Sequence, residues 1–134
     1  MTLLQVVNAD RGTALGSRIA LASRWGQRLR GLLGRPEPGH GEGVLLAPCR
    51  SVHMIGMRYP IDVAFLDRDG RAVALYPGLR PGFRTAGHRR ARYALELRAG
   101  ALAASATAIG DRLVWQEDGA RTGSRPGSHL ETVT

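Results

Sequence analysis

Most hydrophobic residues of this chain fall in short runs that are bounded by glycine, proline, asparagine or aspartate. Short apolar runs between turn formers are typical of strands. The clearest pair is 61–67 and 71–76, because the DRDG between them carries the Asp-Gly signal of a tight hairpin. The pattern predicts strands at 3–7, 18–21, 43–48, 61–67, 71–76, 93–97 and 112–115.

Two other segments have the features of helices. Residues 23–34, SRWGQRLRGLLG, begin with a suitable N-cap serine and end at a glycine. Their apolar residues follow the i, i+4, i+7, i+8 spacing of one helix face, formed by Trp25, Leu29, Leu32 and Leu33. A second short helix is predicted in AGALAASATAI, residues 99–109, because alanine has the highest helix propensity.

These elements predict an α+β domain that is mostly β, with a curved or barrel-like antiparallel sheet and one or two short helices. Residues 1–116 are expected to form a single globular domain. From Glu117 the sequence is polar and rich in glycine, serine and proline, so residues 117–134 are predicted to be a disordered tail. Residues 77–92 have turn formers, five arginines and no apolar periodicity, and are predicted to be a long exposed loop.

The charge of the chain is strongly positive. All 19 basic residues are arginine, and the net charge is +8. A positive surface attracts anionic partners, although it also serves solubility. Aromatic residues make up only 5% and none alternates with basic residues, which argues against a nucleic-acid protein. Weak, non-specific nucleic-acid binding remains the alternative for Arg80, Arg84, Arg89, Arg90 and Arg92.

The compartment is predicted from cysteine content and the N-terminal sequence. One cysteine forms no intramolecular disulfide, so no oxidising compartment is required. The first residues lack the leading positive charge and unbroken apolar run of a secretory signal. No segment approaches the ~20 apolar residues of a spanning helix. We therefore expect a cytoplasmic protein without a membrane span.

Candidate chemistry concentrates in residues 49–62, CRSVHMIGMRYPID. Cys49, His53 and Met57 are ligand types that suit copper(I). On a straight strand, however, residues 49 and 57 would lie roughly 26 Å apart at ~3.3 Å per residue, so one ion could bind both only if the chain bent sharply. No metal and no cofactor is predicted. Cys49 and His53 would lie about 13 Å apart by the same rise, so a buried, inert cysteine is expected and Cys49/His53 catalysis is the enzymatic alternative.

Two carboxylates stand in otherwise apolar strands. Asp62 lies in IDVAFL, and Glu96 shares a strand with Tyr93, Leu95 and Leu97 but falls on its opposite face by alternation. A buried carboxylate is costly unless it is paired, and arginine holds carboxylates well. The sequence therefore predicts that Arg58 or Arg50 reaches one of these acids, either in a pocket or in a structural network.

The order RGLLGR, GVLLAP, CRSVHMIGMRYPIDVAFLDRDGRAVAL, LELRAG and IGDRL resembles the family called domain of unknown function 192, over residues 11–115. The family pattern is filled at His53, Met57, Arg58, Asp62, Phe65 and the run from Leu95 to Gly100. Gly56 stands where some members have tryptophan, and some have an insertion before Asp62. The resemblance implies a small, mostly β domain with one or two short helices and no activity to inherit. IGDRL is also similar to the Gly-Asp turn of cradle-loop barrels.

The function predicted from these observations is a non-catalytic binding module. Its polar pocket is expected to take a small anionic or polar ligand, or a segment of a partner protein. The predicted ligand-binding residues are Arg50, His53, Met57, Arg58, Asp62 and Glu96.

Overall fold

The computed structural model describes residues 2–24 and 31–117, and seven strands and one short helix account for its regular structure. Most buried side chains of the strands are apolar, as the sequence pattern predicts, and the buried polar exceptions in strands are Asn8, Asp62 and Glu96. The elements are β1 (Leu3–Asn8), β2 (Thr13–Ala22), β3 (Glu42–Leu46), β4 (Ile61–Leu66), β5 (Ala72–Leu79), β6 (Tyr93–Arg98), α1 (Ala101–Ala104) and β7 (Leu113–Glu117).

The strands form one curled sheet in the order β5-β4-β6-β3-β2-β1-β7. All neighbouring pairs are antiparallel except β2 and β3, which run parallel. The two edge strands approach each other at one end, where the Ala72 amide donates to the Asp111 carbonyl and the Leu113 amide to the Gly70 carbonyl, each at 2.9 Å. The predicted mostly β fold with a barrel-like sheet is therefore confirmed.

The sheet buries apolar side chains on both of its faces. One cluster, which we call the barrel core, contains residues from every strand together with Leu102 of α1. The second cluster, the loop-side core, joins the opposite face of the central strands to Leu32, Val52 and Met54 from the connecting segments. Because both faces are covered, every residue of β4 is buried.

A partly buried polar network holds the end of the barrel where β1, β2 and β7 meet. The Asn8 side-chain amide donates to Asp111 at 3.0 Å, and the Arg11 Nε donates to the same carboxylate at 2.9 Å. The hydrogen bond from Arg11 is the largest cause that lowers the pKa of Asp111 to about 2, followed by the bond from Asn8. The ionised Asp111 carboxylate therefore contributes its full stabilisation above pH 3.8, and this contribution is lost as the pH falls through about 2.

All seven predicted strands are present, with ends that differ by a few residues. The largest differences are in β2, which starts five residues earlier than predicted, and in the alanine-rich segment, where α1 covers only Ala101–Ala104. Of the helix predicted at 23–34, residues 25–30 lie outside the described residues, and residues 31–34 form turns. The tail predicted at 117–134 lies outside them from residue 118, so the predicted domain boundary stays a prediction.

Candidate functional site

A cavity of about 290 Å³ opens on the loop-side face of the sheet. Its floor is formed by side chains of the central strands, and its walls by residues 31–33 and 48–57. The described residues that line it are Gly31, Leu32, Leu33, Leu46, Pro48, Cys49, Ser51, Val52, His53, Met54, Met57, Ile61 and Glu96.

The wall from residue 49 to residue 57 is extended only in its first part. Val52 and Met54 point into the loop-side core, whereas the alternate residues His53 and Ile55 are exposed. The chain then turns, with Gly56 at φ +85° and the Met57 amide bonded to the Met54 carbonyl at 3.1 Å. Gly56 also approaches Leu33, whose Cδ1 would lie 3.2 Å from an added Cβ.

This turn means that residues 49–57 do not form one straight strand. Cys49, His53 and Met57 line one cavity despite their separation in sequence. Cys49 lies at the cavity wall, where its thiol donates to the Ser51 carbonyl at 3.2 Å. It is half-buried where the sequence predicted a buried cysteine, and its inertness stays a prediction. Within residues 2–24 and 31–117, no three histidine, cysteine or acidic side chains are grouped to hold a metal ion.

Glu96 is the charged group of the cavity. It is only 5% exposed, and its Oε1 accepts a hydrogen bond from the Leu32 amide at 3.0 Å. Burial raises the pKa of the Glu96 carboxyl to about 7, while the Leu32 bond and the positive charge of Arg35 oppose that increase. No described residue bonds to the second oxygen, and Glu96 is one of the residues that line the cavity.

Backbone packing holds residues 31–36 over Glu96. Gly31, at φ +49°, approaches the carboxyl so closely that an added Cβ would lie 2.7 Å from Oε1. The Tyr59 hydroxyl lies 3.0 Å from the Arg35 carbonyl and 3.3 Å from that of Leu32. Burial is the main cause that raises the pKa of Tyr59, and the nearby Glu96 carboxylate adds to it, so the phenol stays protonated and able to donate.

Asp62 lies on the other face of the sheet. It stands opposite Leu97 in the ladder between β4 and β6, whereas Glu96 stands opposite Val63. Directly opposite residues share a face, and Leu97 belongs to the barrel core while Val63 belongs to the loop-side core. The two carboxylates therefore point in opposite directions, and Asp62 does not reach the cavity.

Backbone amides, and not arginine, satisfy the Asp62 carboxylate. Oδ1 accepts from the Gly78 amide at 2.8 Å, and Oδ2 accepts from the amides of Gly100 (3.1 Å) and Leu102 (2.8 Å). The predicted ion pair is wrong, because among the described residues neither Arg50 nor Arg58 pairs with Asp62 or Glu96. In the part of the chain that the structure describes, the side-chain ion pairs are Arg11–Asp111 and Arg71–Asp10.

The structure thus divides the six residues predicted to bind a ligand. His53, Met57 and Glu96 line the cavity, Arg50 and Arg58 are exposed outside its lining, and Asp62 is buried on the far side of the sheet. Sequence reasoning missed the contribution of Met54 and of the 31–33 backbone. Alternation within residues 49–55 could have indicated Met54, but no sequence signal marks the contact between Gly31 and Glu96.

The architecture is that of a small half-barrel domain with a cavity beneath its connecting segments. The chain belongs to the domain of unknown function 192 family, described as an uncharacterized ACR, whose model matches residues 6–115. No protein of curated function matches the chain. In residues 2–24 and 31–117, no helix is long and apolar enough to cross a membrane, and the cytoplasmic location stays a prediction.

Two solved structures share the fold. A protein of unknown function from Novosphingobium aromaticivorans is 21% identical with a TM-score of 0.70, and the alignment covers 83% of this chain and 82% of that one. A protein from Sinorhizobium meliloti, provisionally described as a transcription regulator, is 24% identical with a TM-score of 0.69 and coverages of 87% and 92%. At these identities the similarity concerns the fold alone.

Proposed function

We propose that the protein is a binding module whose cavity takes a small amphipathic ligand with a cationic or hydrogen-bond-donating head group. The head group bonds to Glu96, and the apolar part lies against Leu46, Met54 and Ile61. The single observation that carries this proposal is a buried carboxylate in the lining of the cavity, one oxygen of which has no partner among the described residues.

The charge of the cavity favours a donor over an anion. Glu96 is the only charged residue among the described residues of the lining, apart from the titratable His53. A buried carboxylate that lacks a cation pays for its desolvation, and a ligand ammonium or guanidinium would restore the missing interaction. The polar ligand expected from the sequence is retained in this proposal, and Arg50 and Arg58 are not part of it.

The size and walls of the cavity limit the ligand. A volume of about 290 Å³ is at the lower end of the ~300–1,000 Å³ range of small-molecule sites. Leucine, valine, isoleucine and methionine side chains make up most of the walls, with Ser51 and His53 towards solvent. An alkylamine or alkylguanidine of a few carbon atoms fits this combination of one acid and apolar walls.

The test is a comparison of ligands that differ only in the head group. We expect butylamine and butylguanidine to raise the melting temperature, and butyrate and butanol of the same length to have less effect. Affinity for the amine should increase as the pH rises from 6 to 8, because a cation binds the ionised form of Glu96 and the carboxyl has a pKa of about 7.

The matched variants are Glu96→Gln and Glu42→Gln. Glu42 is exposed and accepts a bond from the Gly39 amide, so its change removes the same charge outside the cavity. The affinity of Glu96→Gln for butylamine should be lower than that of the wild type by about tenfold or more, so the preference for amines is lost. Glu42→Gln should keep the wild-type affinity and preference. Equal amine binding by both variants, or a preference of the wild type for butyrate, would contradict the proposal.

The enzymatic alternative has one observation in its favour, since Cys49 and His53 line the same cavity. A cysteine nucleophile has a depressed thiol pKa and reacts quickly with alkylating agents. We expect iodoacetamide to modify native Cys49 no faster than a free thiol at the same pH, with rapid reaction after denaturation. Reaction much faster than a free thiol, abolished by His53→Ala, would establish an activated cysteine and replace the binding proposal.

A further inference from the structure

The positive charge of the chain is concentrated in two segments that face each other. Residues 49–60 and 80–92 contain seven arginines and no acidic residue. Outside them the chain has 19 − 7 = 12 arginines and 11 acidic residues, so these segments carry seven of the eight net positive charges. All seven arginines are exposed: Arg50, Arg58, Arg80, Arg84, Arg89, Arg90 and Arg92.

Backbone hydrogen bonds join the two segments into one surface, which we call the basic ribbon. At one end the Cys49 amide donates to the Arg92 carbonyl at 3.0 Å, and near the other the Met54 amide donates to the Phe83 carbonyl at 2.7 Å. Between these bonds, His53 and Arg84 form an antiparallel bridge. One side of the ribbon packs on the sheet through Val52, Met54, Thr85 and Ala91, so the arginines are left on the outer side.

Two large apolar side chains stand at one end of the basic ribbon. Ile55 is 57% exposed and Phe83 is 56% exposed, and Ile55 directly follows Met54, whose amide bonds to the Phe83 carbonyl. The Arg80 guanidinium lies 5.7 Å from the centre of the Phe83 ring. Bulky apolar tips beside arginines are the combination that inserts into a headgroup region, where the arginines bind lipid phosphates and their stems stay apolar.

We propose that the basic ribbon docks the protein on the surface of a bilayer rich in anionic phospholipid. Ile55 and Phe83 enter the interface between headgroups and acyl chains, and the arginines neutralise the phosphates around them. Electrostatic attraction to an anionic leaflet and burial of a few apolar side chains are the two contributions that such peripheral binding combines.

The apolar pair favours a membrane over a nucleic acid. Both partners would attract seven arginines through their phosphates. A single-stranded nucleic acid would also need aromatic platforms for its bases, whereas one of the two tips here is the aliphatic Ile55. Isoleucine gains little from base stacking but gains from transfer out of water into an acyl interface.

The first experiment tests whether membrane binding depends on the arginines of the basic ribbon, and it measures sedimentation with vesicles at physiological salt. We expect binding to equimolar phosphatidylglycerol and phosphatidylcholine and none to phosphatidylcholine alone. Arg80→Gln/Arg84→Gln should weaken binding about 30-fold, since each arginine near an anionic surface contributes about fivefold. Arg18→Gln/Arg71→Gln, which removes the same charge from exposed positions elsewhere, should weaken it less than threefold.

The second experiment tests the apolar tips. Ile55→Ser should weaken vesicle binding about fivefold, and Ile109→Ser, at a position 60% exposed, should leave it unchanged. Melting curves of all variants show whether each is folded. If the double arginine variant is unfolded, the comparison of Ile55→Ser with Ile109→Ser still tests the proposal. Absence of vesicle binding, or equal losses in both arginine pairs, overturns the proposal. So does tighter binding of duplex or single-stranded DNA at the same salt with no effect of Ile55→Ser, which would identify a nucleic-acid surface instead.

Discussion

Replacing Glu96 with glutamine should raise the free energy of unfolding by up to about 3 kcal/mol at pH 8. The carboxyl has a pKa of about 7 in the folded protein and 4.5 as its ordinary value, and each unit of difference corresponds to about 1.4 kcal/mol. Glutamine removes the charge and keeps an oxygen that accepts the hydrogen bond from the Leu32 amide. Urea unfolding of both proteins at pH 8 measures the difference.

The same pair of proteins should show a defined pH dependence. Between pH 4.5 and about 7 the folded state binds more protons at Glu96 than the unfolded state, so the wild type loses stability as the pH rises through this window. The glutamine variant lacks that contribution, and the two proteins should converge at pH 4.5 and differ fully only above 7. Glu42→Gln, at an exposed position, should leave the profile unchanged. A less stable Glu96→Gln at pH 8 would show that the ionised carboxylate is already compensated.

A stability cost at this position bears on the proposed function. Side chains that reduce stability are typical of binding sites, because a site is built for its ligand and not for the empty fold. Glu96 accepts a bond from the Leu32 amide, lies close to Gly31, and lines the cavity. A glutamine variant that is more stable and no longer prefers amines would connect that cost directly with binding.

The strands and their faces can be predicted from the sequence where every second residue is large and apolar and the residues between them are not. In β6, alternation correctly separated Tyr93, Leu95 and Leu97 from Ala94 and Glu96, since the first set lies in the barrel core and Ala94 in the loop-side core. The β4–β5 hairpin was also correct, because DRDG fixes a local turn. Local chemistry was sufficient for both predictions.

The grouping of site residues was not predictable in the same way. In β4 all six residues are buried, so the pattern does not say which face Asp62 occupies. The answer depends on its register with β6, and a shift of one residue would have moved Asp62 to the face of Glu96. Likewise, residues 80–92 have no periodicity, and their pairing with residues 49–55 rests on backbone hydrogen bonds that carry no sequence signature.

Changing Asp62 to asparagine should lower the free energy of unfolding by about 3 kcal/mol. The carboxylate is fully buried and accepts bonds from three backbone amides, of Gly78, Gly100 and Leu102. Asparagine offers one oxygen, so at least one of these amides would face the new side-chain NH₂ group. Loss of a bond to a charged group, with one backbone amide left without its acceptor, accounts for the expected cost. Urea unfolding at neutral pH measures it.

Asp67→Asn is the matched control for this change. Asp67 also accepts two backbone amides, of Asp69 and Arg71, but through a single oxygen in the exposed β4–β5 turn, which asparagine can keep. It should cost less than about 1 kcal/mol. Because Asp62 lies on the opposite face from the cavity, its folded asparagine variant should also bind butylamine as the wild type does. A folded Asp62→Asn that has lost amine binding while Asp67→Asn retains it would place Asp62 in the site after all, as its sequence neighbourhood suggested.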